Sequence, residues 1–211
     1  MPSIWSMSTV GMAAVTRPKS IPVIATMVCG LALAASTSGE ERLIDTQRST
    51  VTVRVFTSGP FRGFAEDHLI QAPVMEGSID APPHVQLIVD ARRLRVVDPA
   101  LSPRDRHEAQ TRMLGPDVLD VKRFEQIRFH SVRIQSLDTD AWRVEGELEL
   151  HGQIHPVTVK VSLDHGHYKG SGSFRQTLFG IRPISIVGST VKVKDEVQIG
   201  FDIVTERSPD P

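Results

Sequence analysis

After residue 48 the chain alternates polar and apolar side chains with a period of two, and that pattern commits it to half-buried strands. "TVTVRVF" places Val51, Val53 and Val55 on one face, and "VQLIVDA" does the same with Val85, Leu87 and Val89. "WRVEGELEL" sets Trp142, Val144, Leu148 and Leu150 opposite Arg143, Glu145, Glu147 and Glu149. Successive side chains of a strand point to opposite faces, so each of these segments has one dry and one wet face. The same reading gives strands at 127–135, 157–163, 167–174, 190–194 and 197–205. Residues 68–80 are extended as well, with Pro73 marking an edge or a bulge.

The connections "DAPPH", "LDTDA" and "HGQIHP" are turn-like. One segment breaks the alternation. "SPRDRHEAQTRML", 102–114, offers Ser102 as an N-cap, Pro103 at the first helical position, Asp105 in the first turn and Gly115-Pro116 as a stop. Many antiparallel strands at short intervals point to an all-β sandwich or barrel, and a single inserted helix suits the closing of one barrel end.

The N-terminus follows different rules. Arg17 and Lys19 precede "IPVIATMVCGLALAA", an apolar run short for a bilayer, and Ala32 and Ala34 supply the small residues of a cleavage site. Residues 1–34 are therefore expected to be a signal peptide, with Met7 or Met12 as alternative starts, and residues 40–206 to form the domain. A membrane anchor is the alternative, and Pro22 disfavours it. Cys29 is the only cysteine and lies in the apolar run, so the remainder relies on packing alone, in keeping with a bacterial periplasm or secretion. Lys and Arg total 24 against 25 Asp and Glu, and removal of Arg17 and Lys19 leaves a still more acidic chain. Such a balance offers no general attraction to phosphates, and nucleic-acid binding is set aside.

Catalytic signals are weak. His151 and His155 have the spacing of a helical zinc pair, but Gly152 and Pro156 within alternating strands make that segment a hairpin, and the glutamate of HExxH is missing. In "DHGHYKG", His165 and His167 would project to one side of an extended chain and share a metal with a third ligand. A solvated turn explains them better. His68 and His130 read as partly buried strand residues. No G-x-S-x-G elbow is present, and the glycines of "GSGSF" suit a bending strand rather than a phosphate cradle. What remains is an apolar interior, and a closed sheet of about eight strands has room for one small ligand.

Four stretches carry a resemblance. "STVTVRVFTSGPFRGFAEDHLIQAPVMEGSID", "LSPRDRHEAQTRMLGPDVLDVKRFEQIRFHSVRI", "VEGELELHGQIHPVTVKV" and "FRQTLFGIRPISIVGSTVKVKDEVQIGFDIV" occur in the order found in the YceI-like family of exported, polyisoprenoid-binding proteins, which the chain resembles over about 45–205. The resemblance implies an eight-stranded antiparallel lipocalin-like barrel with one inserted α-helix. It also implies non-catalytic binding or carriage of a polyisoprenoid or isoprenoid quinone, without a cofactor. Many members carry V-x-H in the first strand, whereas Phe56 stands near that place here and His68 follows later, which suggests a different barrel mouth.

On this reading the candidate lining residues are Phe129, Trp142, Val144, Leu148, Phe174, Phe179, Val193 and Phe201, each equally explicable as plain core. "QTLFGIRPISI" is expected to form a lid, with Arg182 offering a cation to a headgroup. A membrane-associated donor or acceptor and a homodimer are compatible partners. The competing readings are a closed barrel serving as a stress-response or redox-partner module, and a metal binder using His165 and His167.

Overall fold

The computed structural model describes residues 41–58, 68–80, 84–186 and 191–206. The expected signal peptide lies outside the described residues, as does "GPFRGFAED". Among the described residues, twelve strands and one α-helix follow one another. They are β1 (Arg42–Leu43), β2 (Thr50–Ser58), β3 (His68–Ala72), β4 (Val74–Asp80), β5 (His84–Asp90), β6 (Arg95–Val96), α1 (Pro103–Leu114), β7 (Gln126–Asp138), β8 (Ala141–Leu150), β9 (Gln153–Asp164), β10 (His167–Arg175), β11 (Ser185–Ile186) and β12 (Val191–Val204). Every pairing is antiparallel, in the order β1-β4-β5-β7-β8-β9-β10-β12-β2-β3-β6, with β11 on β12.

This curled sheet has 12 strands where eight were expected. The difference lies in interruptions and additions. A turn at 45–49 separates β1 from β2, Pro73 separates β3 from β4, and the two-residue strands β6 and β11 are extra. The break between β1 and β2 is bridged by a side chain. Ser49 is buried, donates to the Val204 carbonyl at 3.3 Å and accepts from the Val204 N–H at 3.0 Å, so a hydroxyl does there what a ladder partner does elsewhere. Ser131 plays the same part at a bulge in β7, accepting from Val85 N–H at 2.8 Å.

The path of hydrogen bonds returns on itself. Asp45 N–H donates to Val204 C=O and Glu206 N–H to Leu43 C=O, both at 2.8 Å, and Ile44 bridges to Thr205, so β1 lies between β4 and the end of β12. Two hairpins close with two-residue turns, His151-Gly152 at φ 52° and 71° and His165-Gly166 at 49° and 81°. Positive φ at both positions gives the turn whose twist matches the flanking strands. The "HGQIHP" connection is thus only two residues long. β9 begins at Gln153 and carries Pro156 at a position that β10, ending its pairing at Val159, does not reach.

Helix α1 forms where the capping residues stand: Ser102 Oγ accepts from Asp105 N–H at 3.2 Å, Pro103 occupies the first turn and Gly115 ends it. Its apolar side is small: Met113 is buried in the core cluster that also holds Ile70, Leu94, Val96, Leu119, Phe179 and Ile181, and Ala109 and Leu114 pack against that cluster. Gln110 fixes its height, accepting from Val96 N–H and donating to Leu94 C=O, both at 2.8 Å. The helix and the chain around it form a floor over one end of the sheet.

Candidate functional site: an apolar cavity with a floor and a mouth

The inward residues of the strands do not meet in the middle. They enclose a cavity of about 420 Å³ lined by apolar side chains from β2, β3, β4, β5, β7, β8, β9, β10 and β12, with Ile44 from the turn after β1. Val51 and Val53, Leu87 and Val89, Val144 and Leu148, Val157 and Val159, and Ile199 and Phe201 are wall residues, and Leu94 comes from the floor side. Glycines thin the wall where rings lie against it. A Cβ on Gly146 would stand 2.5 Å from the Phe129 ring, and one on Gly170 2.3 Å from that of Phe201. The expectation that the glycines of "GSGSF" serve to bend the strand is thereby refined: at Gly170 the missing side chain makes room for an aromatic one.

Of the residues expected to line the interior, Phe129, Trp142, Val144, Leu148, Phe174 and Phe201 all face this cavity. Phe179, Arg182 and Val193 do not. Phe179 is 0% exposed and sits beneath Phe174, the two rings edge to face with centroids 5.2 Å apart. It is part of the floor. Val193 pairs with Thr57, and its N–H donates to Ile184 C=O at 2.9 Å. Arg182 is exposed.

The expected lid is therefore a fixed plug. Residues Gln176–Phe179 make a short 3-10 turn ended by Gly180 at φ 74°. Gln176 is buried and its Nε2 donates to Lys194 C=O at 2.7 Å, while Thr177 donates to both Asp195 carboxylate oxygens, from N–H at 2.9 Å and Oγ1 at 2.8 Å. From the other side His151 Nδ1–H donates to Phe179 C=O at 3.0 Å, and the His155 ring lies edge to face on Phe179 at 5.2 Å. A carbonyl can only accept, so this contact places the His151 proton on Nδ1. Both histidines of the pair thus brace the floor.

The remaining histidines are dispersed. His165 tops its turn, 95% exposed at the side chain and hydrogen-bonded to Asp164, whereas His167 bonds Asp202 at 2.7 Å. The left-handed conformation of His165 removes the extended geometry that a shared metal required, which corrects the metal-pair reading. Among the described residues no group of three or more His, Cys, Asp or Glu is placed to hold a metal ion. His68 bonds the buried Asp98 at 3.2 Å, as a partly buried strand residue does, but His130 lies half exposed beside Glu147.

The end opposite the floor is the mouth, and its lining changes character. Arg42, Asp80, Trp142 and Tyr168 stand there beside Ile134, Val85 and Val161. The Arg42 guanidinium lies over the Tyr168 ring at 5.9 Å, and Trp142 and Tyr168 are 6.3 Å apart. Asp80 Oδ1 is buried without a hydrogen-bond partner. None of Arg42, Asp80 and Tyr168 is singled out by the sequence pattern. Tyr168 was within reach, because it continues the inward series Gly170, Gly172 and Phe174.

Residues 43–205 match the YceI-like domain. The chain belongs to that family. The match runs from Leu43 in β1 to just past the end of β12, so it takes in the curled sheet and its floor, with Arg42 just outside it. In fold, this YceI-like chain is similar to BcnA of Burkholderia cenocepacia, at 20% identity and TM-score 0.53 over 76% of this chain and 98% of that one. It is similar at 11% identity and TM-score 0.53 to a polyisoprenoid binding domain of Saccharophagus degradans implicated in plant cell wall breakdown, over 79% and 98%. A Campylobacter jejuni YceI protein matches at 12% identity and TM-score 0.43, over 66% and 82%. No curated protein matches the chain in sequence.

Proposed function

We propose that the protein binds and carries an isoprenoid chain, polyisoprenoid or isoprenoid quinone, outside the cytoplasm and without catalysis. The observation that carries this reading is the apolar cavity of about 420 Å³. Small-molecule sites have volumes of roughly 300–1,000 Å³. A void of this size left empty would cost on the order of 10 kcal/mol at ~24 cal/mol per Å³, comparable with the whole ~5–15 kcal/mol net stability of a domain. Water filling it would find few polar partners. An apolar occupant removes that cost, gaining about 0.8 kcal/mol for each buried CH₂.

Membership of the YceI-like family supports the reading, as does the likeness in fold to a domain named for polyisoprenoid binding. Export rests on the basic residues, apolar run and small residues of positions 17–34. Mass spectrometry of lipid extracted from gently purified protein tests the proposal. One isoprenoid per chain is the expected result, and repeated recovery of protein with an empty cavity would overturn it.

A further inference from the structure

Resting on that reading, we infer that Phe174 is the stop against which the tail ends, so that the cavity takes about three isoprene units and leaves the remainder of any longer tail outside. The inward series of β10 runs Tyr168, Gly170, Gly172, Phe174. Both rings line the cavity, and the glycines between them add no side chain to it. Tyr168 lies under Arg42, a lining residue that is itself exposed, so this is the end that meets solvent. Phe174 is at the other end, packed on the core cluster that holds Phe179, Leu94 and Ile181.

What lies behind Phe174 does not yield to a tail pressing on it. Phe179 is fully buried, and its backbone turn is held by His151 from one side and by Lys194 and Asp195 of β12 from the other. The depth in front of it follows from the strand. Six residue steps separate Tyr168 from Phe174, ~20 Å at about 3.3 Å per residue. Barrel strands tilt ~35–45° from the axis, which leaves roughly 15 Å of depth. An extended chain advances ~1.2 Å per bond, as an extended polypeptide does, so that depth takes on the order of a dozen bonds, about three isoprene units. Carbons beyond it stay in water and gain nothing from burial.

Titration calorimetry of lipid-stripped protein with C10, C15, C20 and C25 prenyl alcohols tests this. Affinity is expected to rise about tenfold or more from C10 to C15 and to change less than about threefold from C15 to C25. A phenyl ring and an isoprene unit are of similar size. In Phe174→Ala the plateau therefore moves out by one unit: C20 binds about tenfold or more tighter than C15, while C10 binding stays within about threefold of wild type. General damage to the fold weakens every tail and does not produce that pattern. Phe174→Leu, gentler on the core, shifts the series in the same direction by less. Wild-type affinity that is flat from C10, or still climbs about tenfold beyond C15, overturns the stated depth, and a plateau that stays in place in both variants overturns Phe174 as the stop. Either result leaves carriage intact. Failure of every tail to bind overturns carriage, and the stop with it.

Discussion

Phe129 shows how much the interior depends on what is missing from a neighbour. Its ring fills the place where a side chain at position 146 would be, and the His130 carbonyl stands 2.4 Å from that same point. Gly146→Ala therefore meets backbone, which cannot swing aside as a side-chain tip can. A loss of ~2 kcal/mol and a Tm lower by ~4–8 °C are expected in thermal unfolding. An unchanged Tm would mean that the ring does not rest there. Trp142, Val144 and Leu148 were legible as inward residues because period two assigns a face without any knowledge of the partner strand. The space at Gly146 was not, since a glycine carries no face and the ring that uses it comes from β7. Arg42 and Asp80 were hidden for another reason. A lone charge at a strand end looks solvated until the curl of the sheet turns that end into a cavity mouth.

At the level of elements, the junction leaving β5 is held by Asp90, a buried carboxylate. It accepts from Arg92 N–H at 3.0 Å and from the Arg92 guanidinium at 2.9 and 3.0 Å, capping the 3-10 turn Ala91–Arg93. The Arg92 hydrogen bond holds the Asp90 pKa below its ordinary 3.8 against the opposing effect of burial. A carboxylate with a lowered native pKa adds stability above its unfolded pKa and loses it as pH falls through the native value. Asp90→Asn is expected to cost about 1 kcal/mol at neutral pH, the exposed Arg92 side weakening the pair. The gap from wild type should close on acidification below 3.8. Urea unfolding across that range checks it, and a gap that persists in acid would assign the effect to packing.

Element boundaries were legible where the signal is local. Ser102, Pro103 and Gly115 delimit α1 from the sequence alone, but nothing local says that Gln110 ties the helix to β6. The strand count failed because turn 45–49 and Pro73 interrupt strands that remain aligned across the gap, and Ser49 and Ser131 hold the register from far along the chain. The floor was misread as a lid for the same reason. "QTLFGIRPISI" has no period, and the bonds that pin it come from Asp195, Lys194 and His151.

On the scale of the whole molecule, the sheet is closed by packing at one end and lined by polar and aromatic groups at the other. Stripping the occupant should therefore loosen the walls more than the floor. The Tm is expected to fall on delipidation and to recover with added prenyl alcohol, by the equivalent of about 2.7 kcal/mol at a hundredfold excess over Kd. A melting curve indifferent to added ligand would count against an interior site.

The seam between β1 and β12 has a consequence of its own. Leu43 and Glu206 share a hydrogen bond, so the two ends of the domain are neighbours, while the turn at His165-Gly166 projects into solvent, with open space around Gly166 and only the local His165–Asp164 hydrogen bond to guard. Where the chain starts is thus a separate matter from what it encloses. Splicing 206 back to 42 and cutting at that turn describes a circular permutation that keeps the same walls, floor and mouth, with the new termini on the rim.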